Sequence, residues 1–308
     1  MGNQPAAEPA PLVLVTGHTF GVRAFEGIFS SGAFLDGKIA VPLMIGLDDS
    51  HAAGTVGYAS LGPLAAEQGA RHISTSDGRL GSLAGQIREA RPAYMLVIGW
   101  SHLVGEDILS IPSAGCVGMH PTMLPRGRGQ APIPWTIIKG EDKTALSVFF
   151  LVAQADAGPL IAQHELDIRG GENSASLFYR IAHTHFTAGL ELAERIGDGT
   201  VPARAQDEAI ATRWPKRRPK DGEILDTMTC HEITLLVRAL LGPYPRAFVR
   251  GGAGGKGETG GEKTEQIPIR GVEPVTGGDG AVGDGRRIRF RCRDGAVYLV
   301  PDAAPSAT

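Results

Sequence analysis

Short runs of consecutive apolar residues alternate through the first two thirds of the chain with stretches whose apolar positions recur at helical spacing. Leu12-Val13-Leu14-Val15 is the first run; it ends at Gly17 and leads through His18-Thr19-Phe20-Gly21 into a helix predicted over Val22–Phe29. Ile39–Ile45 repeats the pattern before the turn cluster Asp48-Asp49-Ser50, and Tyr94–Gly99 repeats it after a helix predicted near Gly81–Ala90. Strands that are apolar on both faces must be covered on both, so their alternation with helices predicts an α/β fold built on a mostly parallel, doubly wound sheet. Sheets of this kind bind ligands outside the carboxyl ends of their strands.

A further strand near Gly115–Met119 delivers His120 just past its end, and a β-rich run at Leu146–Val152 leads into the polar loop that carries Asp156. Ala175–Ile196 reads as an amphipathic helix stopped by Gly197-Asp198-Gly199. The polar connection from Thr200 to Pro219 then separates a second region, and the boundary is placed near residue 203. There His231–Leu241 reads as a helix ended by Gly242-Pro243, and Ala247–Val249 and Ile288–Val300 read as strands of a smaller, β-rich, barrel-like domain. The predicted organisation is a disordered leader over 1–10, a first domain over 11–203, and an OB-like domain over 204–308. Residues 251–285, rich in Gly, Glu and Lys, are predicted to form a flexible loop within that second domain.

Composition narrows the picture. At 308 residues the chain has room for about two domains. Its 42% hydrophobic and 20% charged residues are those of a globular protein, which excludes wholesale disorder. A formal net charge of −3 supplies no global field for nucleic acid. No run of about 18 apolar residues suggests a membrane span. Cys116, Cys230 and Cys292 lack metal-knot or dithiol spacing, so reduced thiols and a cytoplasmic location are expected. His183 and His185 diverge by about 200° around a helix and are poorly placed to share a metal ion, and no metal site is expected.

The chemistry concentrates in Gly118-Met119-His120-Pro121-Thr122-Met123-Leu124-Pro125-Arg126-Gly127-Arg128-Gly129-Gln130-Ala131-Pro132 and in Asp156-Ala157-Gly158. The prolines and glycines after His120 forbid a helix and shape a loop at the end of its strand. Taken singly, a strand-end histidine is more often structural, and Asp-x-Gly is a turn signal. Together they resemble the folate-dependent formyltransferases, whose pattern runs Asn-x-His-x-Ser-Leu-Leu-Pro, Arg-Gly, Ala-Pro, then Asp-x-Gly. Pro215–Gly222 and Arg238–Phe248 resemble the second domain of the methionyl-tRNA and UDP-4-amino-4-deoxy-arabinose formyltransferases.

The resemblance implies transfer of a formyl group from 10-formyltetrahydrofolate to a primary amine. His120 would relay the amine proton and donate toward the oxyanion, with Asp156 orienting the imidazole. Folate would lie against His102, Leu103 and Val104 and against Val152, Ala153, Gln154, Ala155 and Asp156; on pattern alone the apolar members read as core. The chain departs from the family at Gly118, which stands where the Asn side chain would donate to the oxyanion. The His102 side chain, a backbone N–H beside Gly118 or a water in the vacated space could replace it. The acceptor is expected to be a small-molecule amine, with a nucleotide-linked amino sugar favoured because Ala155–Gly158 and Ile161-Ala162-Gln163 look most like the sugar enzymes. Methionyl-tRNA is the disfavoured alternative acceptor, a non-catalytic folate-binding role is the alternative raised by Gly118, and a homodimer is compatible with either.

Overall fold

The structure is a computed structural model and describes residues 8–250, 266–275 and 287–302. The chain divides into two compact units. The first holds the residues up to Pro132 together with Lys143–Asp167 and Phe178–Trp214; the second holds Ile133–Asp142, Ile168–Leu177 and the chain from Pro215 onward.

In the first unit the strands are β1 (Ala10–Thr16), β2 (Ile39–Leu47), β3 (Arg71–Thr75), β4 (Tyr94–Val97), β5 (Gly115–His120), β6 (Arg128–Gly129), β7 (Lys143–Phe150), β8 (Leu160–Asp167) and β9 (Arg213–Trp214). Seven of them form one sheet in the order β3-β2-β1-β4-β5-β7-β8. The first five are mutually parallel, as the apolar runs predict, and β7 and β8 join antiparallel. Pleating sends alternate residues to opposite faces. Val13, Val15, Leu43, Ile45, Met95 and Val97 form one core cluster with Ile87 and Ile108 from the covering helices. Leu12 and Leu14, equally buried, supply the opposite face.

Because β7 runs against β5, His120 stands opposite Ser147 while Val117 stands opposite Phe150. The loop after β7 therefore leaves beside the middle of β5 and has to return before Asp156 can approach the imidazole. The first unit also extends to Trp214, past the boundary expected near residue 203. Residues 204–214 stay with it because Arg204 exchanges backbone hydrogen bonds with Leu160 at 2.7 and 2.9 Å, and β9 pairs in parallel with β6.

The second unit contains β10 (Ala247–Arg250), β11 (Gln266–Pro274), β12 (Ile288–Cys292) and β13 (Gly295–Pro301), an antiparallel sheet in the order β10-β11-β13-β12. The helix Cys230–Ala239 packs on this half-barrel. Its start is fixed by a capping box in which the Thr229 hydroxyl accepts from the Glu232 N–H and the Glu232 carboxylate accepts from the Thr229 N–H. Ile233, Leu236 and Val237 of the helix join Val249, Ile269, Val297 and Leu299 of the strands in one core.

Two expectations are corrected in this unit. Residues 251–285 are not one loop, since Gln266–Pro274 is an interior strand whose Ile269 is fully buried; low apolar content hid a strand with a single deep anchor. The remainder of that span, 251–265 and 276–285, and the leader up to residue 7 lie outside the described residues. The cysteines are not all reduced: Cys230 and Cys292 are joined in a disulfide with Cα atoms 5.7 Å apart, and Cys116 is free and buried. The pairing spans 62 residues of sequence, and only the fold brings the two together. No helix among the described residues is long and apolar enough to cross a membrane.

Candidate active site

His120 is the last residue of β5 and only 8% exposed. Its Nε2 lies 3.0 Å from the Gly127 carbonyl oxygen. A carbonyl only accepts, so Nε2 carries the proton and the ring is anchored through it. The other nitrogen, Nδ1, is 3.9 Å from Asp156 Oδ1. That separation exceeds a hydrogen bond and places a carboxylate beside the nitrogen that gains or loses a proton. Asp156 is held by its other oxygen, Oδ2, which accepts the Gly129 N–H at 2.8 Å. Its backbone adopts φ +60°, a left-handed conformation that costs a non-glycine residue free energy and recurs at functional positions.

The loop that turns His120 toward Asp156 is braced from below. Ser147 Oγ donates to the Thr122 carbonyl at 2.7 Å and accepts the Leu124 N–H at 3.2 Å, and Gln163 Nε2 donates to the Leu124 carbonyl at 2.9 Å. From the other side it is strapped by residues 204–214. The Gly127 N–H donates to the Thr212 hydroxyl at 2.9 Å. Gly129, at φ +112°, lies so close to the Trp214 carbonyl that no β-carbon fits there. Gln206 Nε2 donates to the carbonyls of Asp156 and Gly158 at 2.9 and 2.7 Å, clamping the Asp156 turn.

Arg128 connects the two halves of this clamp. The residue is only 3% exposed; its guanidinium donates to Gln206 Oε1 at 2.8 and 3.2 Å and pairs in a fork with both Glu208 oxygens at 2.6 and 2.9 Å. Those hydrogen bonds hold the Glu208 carboxyl below its ordinary pKa. The Arg-Gly of the sequence motif is therefore a bracket for the acid loop.

Gly118 lies two residues before His120 on the same face of β5. A β-carbon there would meet Leu151 Cδ2 at 2.7 Å, with Leu151 Cγ and Phe149 Cζ at 3.4 Å. Leu151 thus packs against Gly118 in the space that an amide side chain there would need. The His102 ring packs against Gly78 and lies 3.4 Å from the Ser101 hydroxyl.

The expected folate-facing residues are open to solvent where the apolar pattern read as core. Leu103 is 81% and Val152 42% exposed; His102, Ala153 and Gln154 are exposed, Ala155 and Asp156 are half-buried, and Val104 alone of the apolar members packs against the first unit's core. Leu151, Gln206, Glu208 and Thr212 escape a reading of the sequence. Three lie in what reads as a linker, and the one available signal is that a buried arginine must find acceptors.

Residues 59–191 match the family model described as formyl transferase. Among solved structures, methionyl-tRNA formyltransferase from Clostridium thermocellum is similar with a TM-score of 0.59 at 18% identity, covering 95% of this chain and 99% of that one. The N-formyltransferase from Helicobacter canadensis, solved with folinic acid and dTDP-3-aminofucose, gives a TM-score of 0.68 at 14% identity over 96% of this chain and 100% of that one. WlaRD, a sugar 3N-formyl transferase solved with dTDP and 5-N-formyl-THF, gives 0.67 at 12% identity over 97% and 100%. The matched segment, which contains both His120 and Asp156, is a formyl transferase domain, and the fold of these solved structures is shared along nearly the whole chain.

Proposed function

We propose that the enzyme moves a formyl group from 10-formyltetrahydrofolate to the primary amine of a small molecule, with a nucleotide-linked amino sugar as the acceptor. The observation that carries this reading is the approach of His120 Nδ1 to Asp156 Oδ1 within the matched segment. The amine nitrogen bonds to the formyl carbon, the bond from that carbon to folate N10 breaks, and one proton passes from the amine to N10. His120 takes up the amine proton at Nδ1, the nitrogen that is not tied to Gly127. Asp156 stabilises the imidazolium so formed, and the imidazolium faces the negative charge developing on the carbonyl oxygen. Leu103 and Val152, exposed at the loops expected to meet the pterin, suit a flat, partly apolar ring system.

The two sugar N-formyltransferases named above, whose structures hold a folate and dTDP or a dTDP-sugar, support a sugar acceptor for this chain.

The test is mass-spectrometric detection of formylated product from nucleotide-linked amino sugars and, in parallel, from methionyl-tRNA. Formylation of a sugar acceptor and its loss by at least ~100-fold in His120→Ala are the expected results. Formylation of tRNA alone overturns the acceptor, and equal turnover in His120→Ala overturns the site.

A further inference from the structure

The disulfide of the second unit joins two unequal sulfurs. Cys230 opens the ten-residue helix Cys230–Ala239 and is half-buried, whereas Cys292 closes β12 and is 4% exposed. Cys230 lines a surface cavity of about 790 Å³ together with Arg289, Arg291, Asp294, Gly295 and Ala296. Arg289 and Arg291 are alternate residues of an edge strand, so both project from its outer face. Among the described residues neither has a carboxylate partner, although their neighbours Arg287 and Arg293 pair with Glu273 and Glu232.

The junction does not depend on the sulfur bond. The Arg293 N–H donates to the Met228 carbonyl at 2.9 Å, and the Cys230 N–H donates to Asp294 Oδ1 at 2.8 Å. These bonds would keep the two sulfurs adjacent after reduction. A thiolate on Cys230 would sit at a helix N-terminus beside two guanidinium groups, an environment that stabilises it.

We propose that Cys230 is a thiol-exchange site for small anionic thiols that carry free carboxylates, with Arg289 and Arg291 as their docking cations. The incoming thiolate attacks Cys230 Sγ, which is reachable. The bond to Cys292 breaks, Cys292 departs as a thiolate, and Cys230 carries a mixed disulfide. A second thiolate displaces Cys230 and leaves as the oxidised small thiol, so the protein disulfide is reduced to two thiols by two equivalents. In a cytoplasmic protein, disulfides are usually of this exchanging kind.

Glutathione is the anionic probe and 2-mercaptoethanol the neutral one, both used on the full chain. When the protein is first reduced and then equilibrated with oxidised glutathione, alkylation under denaturing conditions after removal of the small molecules is expected to tag only Cys116 and, in the mixed-disulfide fraction, Cys292. Peptide mapping is expected to place glutathione on Cys230. The double substitution Arg289→Gln, Arg291→Gln, on an exposed strand face, is expected to slow reduction by glutathione ~tenfold and leave the rate with 2-mercaptoethanol unchanged. Glutathione mapped to Cys292, equal slowing with both thiols, or three free thiols persisting in oxidised glutathione each overturns the proposal. So does one zinc ion per chain held by Cys230, Cys292 and Asp294, whose ligand atoms all lie within 4.8 Å of one another.

Discussion

Leu151 occupies the space where an amide side chain on β5 would have to stand, and this decides what a substitution at Gly118 can achieve. Asn introduced alone would drive its β-carbon to 2.7 Å from Leu151 Cδ2, closer than real β-carbons pack. Gly118→Asn is therefore expected to lower the melting temperature without raising turnover. Gly118→Asn combined with Leu151→Ala makes room for the amide, and kcat is expected to rise above that of the unaltered enzyme, since one oxyanion donor is worth on the order of a hundredfold. Measurement of kcat and melting temperature for the single and double variants checks both statements; a rise in kcat for the single variant would show that Leu151 yields. The approach of His120 to Asp156 was legible because each follows a β-rich run. Leu151 was not, because nothing local says that the residue after a strand will fold back over a glycine on its neighbour.

The strap of residues 204–214 has no apolar periodicity, and its contacts are made mainly by polar side chains to backbone groups of distant loops. A polar, proline-flanked stretch with such a job reads as a linker, which is why the boundary was expected too early. The sheet was legible for the opposite reason, since Leu12–Val15, Ile39–Ile45 and Tyr94–Gly99 have to be covered on both faces. β11 failed the same test, with Pro and Gly interrupting a strand whose one fully buried residue is Ile269. If the strap sets the Asp156 turn, Gln206→Ala should free the carbonyls of Asp156 and Gly158 and let the carboxylate drift from His120. A displacement near 1 Å costs ~100-fold, so kcat is expected to fall ~10- to 100-fold with little change in KM for folate. An unchanged kcat in steady-state assays, with folding verified by circular dichroism, would show that Arg128 and Gly129 hold the turn unaided.

Across the molecule, two buried histidines that take no part in the proposed chemistry are expected to weaken the fold in acid. His18, Phe20, Phe178 and His185 form an aromatic cluster in the first unit; the Phe20 and His185 rings stack 4.5 Å apart at 12°, and Phe20 and Phe178 are 4.5 Å apart. Burial lowers His18 to about 4 and His185 to about 3. His18 Nδ1 accepts the Phe20 N–H, a bond that only the neutral ring makes, whereas His185 Nδ1 donates to the Ile181 carbonyl, a bond that favours the proton but is outweighed by burial. A histidine whose folded pKa is depressed favours the native state above its unfolded value near 6.5, where it is neutral in both states. Below that value the unfolded chain binds the proton first, and the advantage is lost as pH falls toward the folded value. Each ring is expected to withdraw on the order of 1–3 kcal/mol between pH 6.5 and pH 4. Glu208, depressed by Arg128, adds a loss of the same sign only at lower pH, as protonation releases the strap. The melting temperature should fall by roughly 5 °C or more from pH 7 to pH 5. His185→Phe keeps the stack on Phe20 and removes the titrating group, so the fall should be visibly shallower in the variant. Parallel melting curves for the two proteins across that range would mean that His185 is not among the groups that set acid stability.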